Sequence, residues 1–309
     1  IARVGPEDAP TLLLDSHLDT VPPGAGWTRE PHHVDREDGR VYGLGSNDAK
    51  ASVAAMMATI AAFDPGRAKR RLVVALVADE ETGGRGTEIV LPHLAARGER
   101  IDAAFVGEPT GLDLATAQKG LMILELVREG APRHAAHPGE GNPIVDLARD
   151  LIALEAVDRG PEHPDLGRTR ITPTVLAAGE AKNRVPAEAR AVIDVRSVPG
   201  EGHEALVARL RDAVGGDLRI RSSRLEASFT PEDAAIVRAA RRVRPEARVY
   251  GSPTMSDMVF LRGVPVVKCG PGRSERSHTA DEFVLESEII AGADFYARAA
   301  RAFFEEIEG

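Results

Sequence analysis

Three short apolar runs, Thr11 to Leu14, Leu72 to Ala78 and Ala103 to Val106, have the length of buried strands, and each gives way almost at once to acids or histidine. The first runs into Asp15-Ser16-His17-Leu18-Asp19-Thr20-Val21-Pro22, the second into Asp79-Glu80-Glu81-Thr82-Gly83-Gly84, and the third into Gly107-Glu108-Pro109-Thr110. Helical patterns lie between them, one over Lys50 to Phe63 and one around Thr87 to Arg97. Strands alternating with helices predict an α/β fold with a mainly parallel sheet covered on both faces. Such sheets build their ligand crevice past the carboxyl ends of the strands, where these polar segments fall.

The last third resumes this style. Glu232 to Arg242 is predicted helical, Val264 to Cys269 reads as another buried strand, and Glu288 to Ile307 as a long amphipathic helix with Ile289, Ala293, Tyr296, Ala300, Phe303 and Ile307 on one face. The middle third differs. It reads as a strand (121–127), a helix (144–154), two strands (169–179 and 189–195), a helix (203–214) and a strand (217–225). That β-α-β-β-α-β order is a ferredoxin-like α+β unit. The expected organisation is a catalytic domain over 1–118 and 227–309, split by an insertion over 119–226.

Composition narrows the function. A formal net charge of −9 with interleaved signs argues against nucleic acid or an anionic membrane as the main partner. No apolar stretch approaches the ~18 residues of a membrane span. The single cysteine, Cys269, rules out an intramolecular disulfide framework and suits a reducing compartment. A cytoplasmic location is expected. The chain opens Ile1-Ala2-Arg3, without an initiator methionine and close to its first strand, so an N-terminal truncation is also expected.

Two further segments carry candidate chemistry: Tyr42-Gly43-Leu44-Gly45-Ser46-Asn47-Asp48-Ala49-Lys50, and Ser277-His278-Thr279-Ala280-Asp281-Glu282-Phe283. Two histidines and several carboxylates, with no thiol among them, suit Zn²⁺ or a similar divalent ion. Carboxylates can also bridge two ions around a shared water. In the pair Glu80-Glu81 one side chain can ligate while the other accepts a proton. Gly43-Leu44-Gly45 lacks the third glycine of a dinucleotide loop. His32, His33, His93, His163 and His203 lie in polar stretches and read as solvated, and Cys269 as a small core residue.

Taken together, these segments and Lys119-Gly120-Leu121-Met122 resemble the M20 metallopeptidase/deacylase family over nearly the whole chain, and within it most closely the acetylornithine deacetylases of the acetylornithine deacetylase/succinyl-diaminopimelate desuccinylase group. The resemblance implies two Zn²⁺ ions per subunit, with Co²⁺ able to substitute. His17 and Glu108 would hold one ion, Glu81 and His278 the other, and Asp48 would bridge them. It makes Asp19 the partner that orients His17, Glu80 the general base, and the Asp48–Ala49 peptide cis. It implies that the insertion is a dimerisation (lid) domain and that the chain forms a homodimer. His134, with His137 as runner-up, would then serve the other subunit's site, and Asn183 and Arg196 would bind substrate. The expected reaction is amide hydrolysis of a small N-acyl amino acid. N-acetyl-L-ornithine, in arginine biosynthesis, comes first. The alternatives are succinyl-diaminopimelate, other acylamino acids, dipeptide or carboxypeptidase substrates, and a non-catalytic binding module.

Overall fold

The computed structural model of the chain describes residues 1–64, 66 and 70–308. It divides into two compact units, residues 1–116 with 229–309, and residues 117–228.

The first unit is built on an eight-stranded sheet whose centre is parallel. Arg71–Val77 and Ala103–Val106 flank Thr11–His17, and Val266–Lys268 lies parallel beyond Ala103–Val106. Ala2–Val4 closes one edge in antiparallel fashion. Successive side chains of a strand point to opposite faces, and here both faces are covered. Leu12, Leu14, Leu72, Val74 and Phe105 pack with Met56 of helix Ala51–Ala62, with helix Ala235–Val243, and with Phe295 and Phe303 of helix Glu286–Glu308. Leu13, Val73, Ala75, Ala104 and Val106 pack on the other side with Leu94 of helix Arg85–Ala96 and with Met258 and Leu261. Burial on both faces explains why these strands read as unbroken apolar runs.

In the second unit four antiparallel strands run in the order Arg170–Ala178, Glu188–Arg196, Leu121–Glu129, Asp217–Leu225. Helices Pro143–Glu155 and His203–Ala213 cover one face through Leu147, Leu154, Leu206 and Leu210. Numbered by sequence the strand order is 2-3-1-4, that of a ferredoxin-like unit. Asn142 caps the first helix, its side-chain oxygen accepting from the Ile144 N–H at 3.0 Å. Among the described residues no helix is long and apolar enough to cross a membrane.

Candidate metal centre

Strand Thr11–His17 is buried along its whole length and ends on His17, which is 1% exposed. The ring's Nε2 lies 3.3 Å from Asp48 Oδ1 and 3.8 Å from Glu108 Oε1. The other oxygen of Asp48, Oδ2, is 3.7 Å from His278 Nε2, which is itself 3.2 Å from Glu81 Oε1. Asp48 thus turns one oxygen to each of two groups, His17-Asp48-Glu108 and Asp48-Glu81-His278, each compact enough to hold a cation. Glu80 belongs to neither group but lines the same cavity of about 490 Å³ as Asp48, Glu81, Glu108 and His278.

The loop that carries Asp48 is held from a distance in sequence. Gly45 takes φ 75, and a Cβ there would sit 2.4 Å from both Lys50 Nζ and Thr20 Cγ2, so only glycine fits. The buried carboxylate of Glu282 accepts from the N–H groups of Gly45 at 2.8 Å, Asn47 at 3.0 Å and Asp48 at 2.9 Å. Asn47 donates to the Arg273 carbonyl at 3.0 Å and accepts from the Arg273 N–H at 2.9 Å, tying this loop to the one that bears His278. The Asp48–Ala49 peptide is cis, as the resemblance implied. Because an amide keeps only one acceptor oxygen, Glu282→Gln is expected to turn an N–H against a backbone N–H. Chemical denaturation should show about 1–3 kcal/mol less stability for each bond lost, together with weaker divalent-ion binding; an unchanged midpoint and affinity would contradict this role.

Asp19 differs in detail from the expectation. The His17 Nδ1 sits 3.1 Å from the Asp19 carbonyl oxygen, whereas the Asp19 carboxylate stands 3.6 Å off. That carboxylate accepts instead from the backbone N–H groups of Glu80 at 3.3 Å and Glu81 at 3.1 Å. Its side chain fixes the acidic turn after strand Arg71–Val77, while its main chain steers the ring. With Nδ1–H donating to that carbonyl, Nε2 keeps its lone pair for a cation.

The electrostatics show too much negative charge for so buried a place. Burial, and then the charges of Asp48 and Glu80, push the Glu108 carboxyl well above its usual range. Burial likewise lifts Glu80 to about 8, with Asp257, Glu81 and Asp48 adding and His17 opposing. Burial pulls the His17 ring the other way, but its hydrogen bond to Asp48 and the charges of Glu108, Glu80 and Asp48 win, raising it to about 10. Asp48 moves down: burial opposes, and the hydrogen bond and charge of His17 prevail. A divalent ion in each group would supply the missing positive charge and reverse these shifts. The nitrogen–oxygen donor set therefore fits such ions.

His134, Asn183 and Arg196 belong to the other unit. His134 is exposed in the short strand Arg133–His134, and the next residue's N–H donates to the Asn183 carbonyl at 2.8 Å, so these two neighbour each other. His137 is also exposed. Arg196 ends strand Glu188–Arg196 with its guanidinium on Asp194, at 2.8 and 3.1 Å. His203 and His163 are not solvated as expected but 3% and 9% exposed. His203 is buried because Ser197 Oγ at 2.7 Å and the Ser223 carbonyl at 2.8 Å partner both ring nitrogens. Motif reading missed Lys268, Ser252, Thr254 and Asp257 as residues around the centre, and passed over Asn47 and Glu282 as parts of larger motifs.

The match to the model of peptidase family M20/M25/M40 spans residues 13–302. A succinyl-diaminopimelate desuccinylase of Paracoccus denitrificans is 36% identical over 226 residues, 68% of this chain and 58% of that protein. One from Methylobacterium radiotolerans is 32% identical over 331 aligned positions, 98% of this chain and 83% of that protein. The crystal structure of the YxeP protein of Bacillus subtilis, a dinuclear metal-binding peptidase of the M20 family, superimposes with a TM-score of 0.73 at 17% identity, covering 98% of this chain and 84% of that one. That likeness extends to the α/β fold with its mainly parallel sheet. With the family pattern running through both units and relatives above 30% identity along its length, the chain belongs to peptidase family M20/M25/M40.

Proposed function

We propose that the chain is a divalent-metal hydrolase that cleaves the amide of an N-succinyl amino acid, with N-succinyl-diaminopimelate as the first substrate. The observation that carries the hydrolase reading is the Asp48 carboxylate facing two ligand groups with Glu80 beside them in neither. The motifs alone put N-acetyl-L-ornithine first. The desuccinylase relatives move the succinylated substrate ahead of it, and diaminopimelate metabolism ahead of arginine biosynthesis.

His17, Asp48 and Glu108 would hold one ion, and Asp48, Glu81 and His278 the other, Zn²⁺ or Co²⁺ suiting both. Bound there, the ions supply Lewis-acid activation of water and of the acyl carbonyl. Glu80 takes a proton from the attacking water and returns it to the departing amine, work open to a carboxylate that lines the cavity but belongs to neither ligand group. Asp19 keeps His17 and the Glu80-Glu81 turn in place. His134 donates to the developing oxyanion from the insert of a second copy, and Asn183 and Arg196 bind substrate, Arg196 by exchanging its Asp194 partner. The end strand Arg170–Ala178, exposed over most of its length with Val175 and Leu176 outward, supports self-association through that insert.

The test is amine release by the metal-loaded protein from a panel of N-succinyl-diaminopimelate, N-acetylornithine, N-acetylcitrulline, N-succinylornithine and simple dipeptides. The succinylated diaminopimelate should lead N-acetylornithine in kcat/KM by at least about tenfold. A lead of that size for N-acetylornithine or a dipeptide would replace this reading.

A further inference from the structure

Lys268 lies in the middle of the molecule's chemistry, and the hydrolytic mechanism makes no use of it. It ends strand Val266–Lys268, in register with Val106, two residues before Glu108. Its side chain lines the same cavity as Glu80, Glu81 and Glu108, although the residue is only 4% exposed. Its ammonium donates to Thr254 Oγ1 at 2.8 Å and Ser252 Oγ at 3.1 Å, and more loosely to the carbonyls of Thr254 at 3.3 Å and Met255 at 3.5 Å. All four partners are neutral oxygens. A buried charge is costly unless it is partnered, and a cage of acceptors selects the protonated amine. Burial pulls the ammonium's pKa down, and Glu108, Glu80 and Asp48 oppose that.

The hydroxyl protons complete the picture. Both hydroxyls accept from Lys268, so their own protons point elsewhere. Ser252 has the Thr254 carbonyl at 3.2 Å and Thr254 Oγ1 at 3.0 Å as acceptors. The two hydroxyls are 3.0 Å apart and either can donate to the other; where Ser252 donates, the Thr254 proton is free for a ligand in the cavity that Thr254 lines. A hydroxyl that accepts from an ammonium is a polarised, stronger donor.

We propose that Lys268, clamped by Ser252 and Thr254, forms with the Thr254 hydroxyl a subsite for the distal carboxylate of a dicarboxylic acyl group. This rests on the hydrolase reading above. The distal carboxylate of a succinyl group is two methylenes from the reacting carbonyl, so its partner has to lie in the cavity that holds the metal ligands. Lys268 supplies the fixed charge and Thr254 the directed hydrogen bond.

The test compares metal-loaded wild type with Lys268→Met, Thr254→Val and Arg248→Met. Arg248 is included because its exposed guanidinium lines the same cavity, 4.4 Å over the Tyr250 ring. Two readouts apply: kcat/KM for the N-succinyl and N-acetyl derivatives of one amino acid, and calorimetric binding of succinate against acetate. Losing the fixed positive charge should lower kcat/KM for the succinyl derivative about 10–100-fold in Lys268→Met. The loss should fall mainly in KM, and the acetyl derivative should stay within about threefold. Succinate binding should weaken in step while acetate binding holds. Thr254→Val should move the same ratio in the same direction, and it decides the matter where Lys268→Met fails to fold. Equal loss for both derivatives, an unchanged ratio, or a ratio that follows Arg248→Met instead would each overturn the subsite. If wild type hydrolyses neither derivative, the hydrolase reading fails by itself. The subsite then stands or falls on whether succinate binds more tightly than acetate and Lys268→Met removes the difference.

Discussion

Replacing Glu80 by Gln is expected to lower kcat by about 10²–10⁴-fold, the range for loss of a general base, with the metal content unchanged. Glu80 sits in the cavity with the proposed ligands yet in neither group of three. Gln has its shape but cannot accept and return a proton. The same substitution should leave the metal-free fold as stable as wild type or more so. Burial and the charges of Asp257, Glu81 and Asp48 already oppose ionisation of Glu80, so a neutral amide removes repulsion. Turnover, bound metal by elemental analysis and the melting temperature therefore form one test with three signs. Near-normal turnover would assign the base to another group. Loss of an ion alongside turnover would make Glu80 a ligand.

The parts of this arrangement that were legible in the sequence are those in which one stretch of chain carries both the strand and the chemistry. Leu12-Leu13-Leu14 leading to His17, and Ala103 to Val106 leading to Glu108, announce a strand buried on both faces and the residue at its carboxyl end. Elements whose burial is decided elsewhere were not legible. Strand Leu114–Gln118 reads Leu-Ala-Thr-Ala-Gln, with no apolar run, yet all five residues are buried between neighbouring strands. Lys268 hides inside an apolar strand because its acceptors, on Ser252 and Thr254, arrive from the end of strand Val249–Ser252 and the turn after it. Glu282 acts on backbone N–H groups more than 230 positions away, a partnership that no local pattern carries. Asp19 was legible as a residue of the centre but not in its division of labour, because the turn it caps comes from a different strand.

Chelation is expected to abolish turnover, Zn²⁺ or Co²⁺ to restore it, and the loss of stability on stripping the ions to grow with pH. In the metal-free fold both shifts have the same sign. His17 is raised from 6.5 to about 10, so the stability it contributes is complete below 6.5 and is lost as pH rises towards 10. Glu80 is raised from 4.5 to about 8, so the folded state keeps a proton that the unfolded chain has released, and stability falls as pH climbs from 4.5 to 8. Both slopes act together between 6.5 and about 8. Divalent ions bind the deprotonated ligands, so their affinity rises over that window. A free ion at 100–1,000 times its Kd adds about 3–4 kcal/mol per site. For a chain of this size two sites should raise the melting temperature by roughly 10 °C or more. Melting curves of the loaded and the stripped protein across the window measure the gap directly. A gap that narrows as pH rises, or no gap at all, would mean that His17, Asp48, Glu81, Glu108 and His278 do not hold the ions.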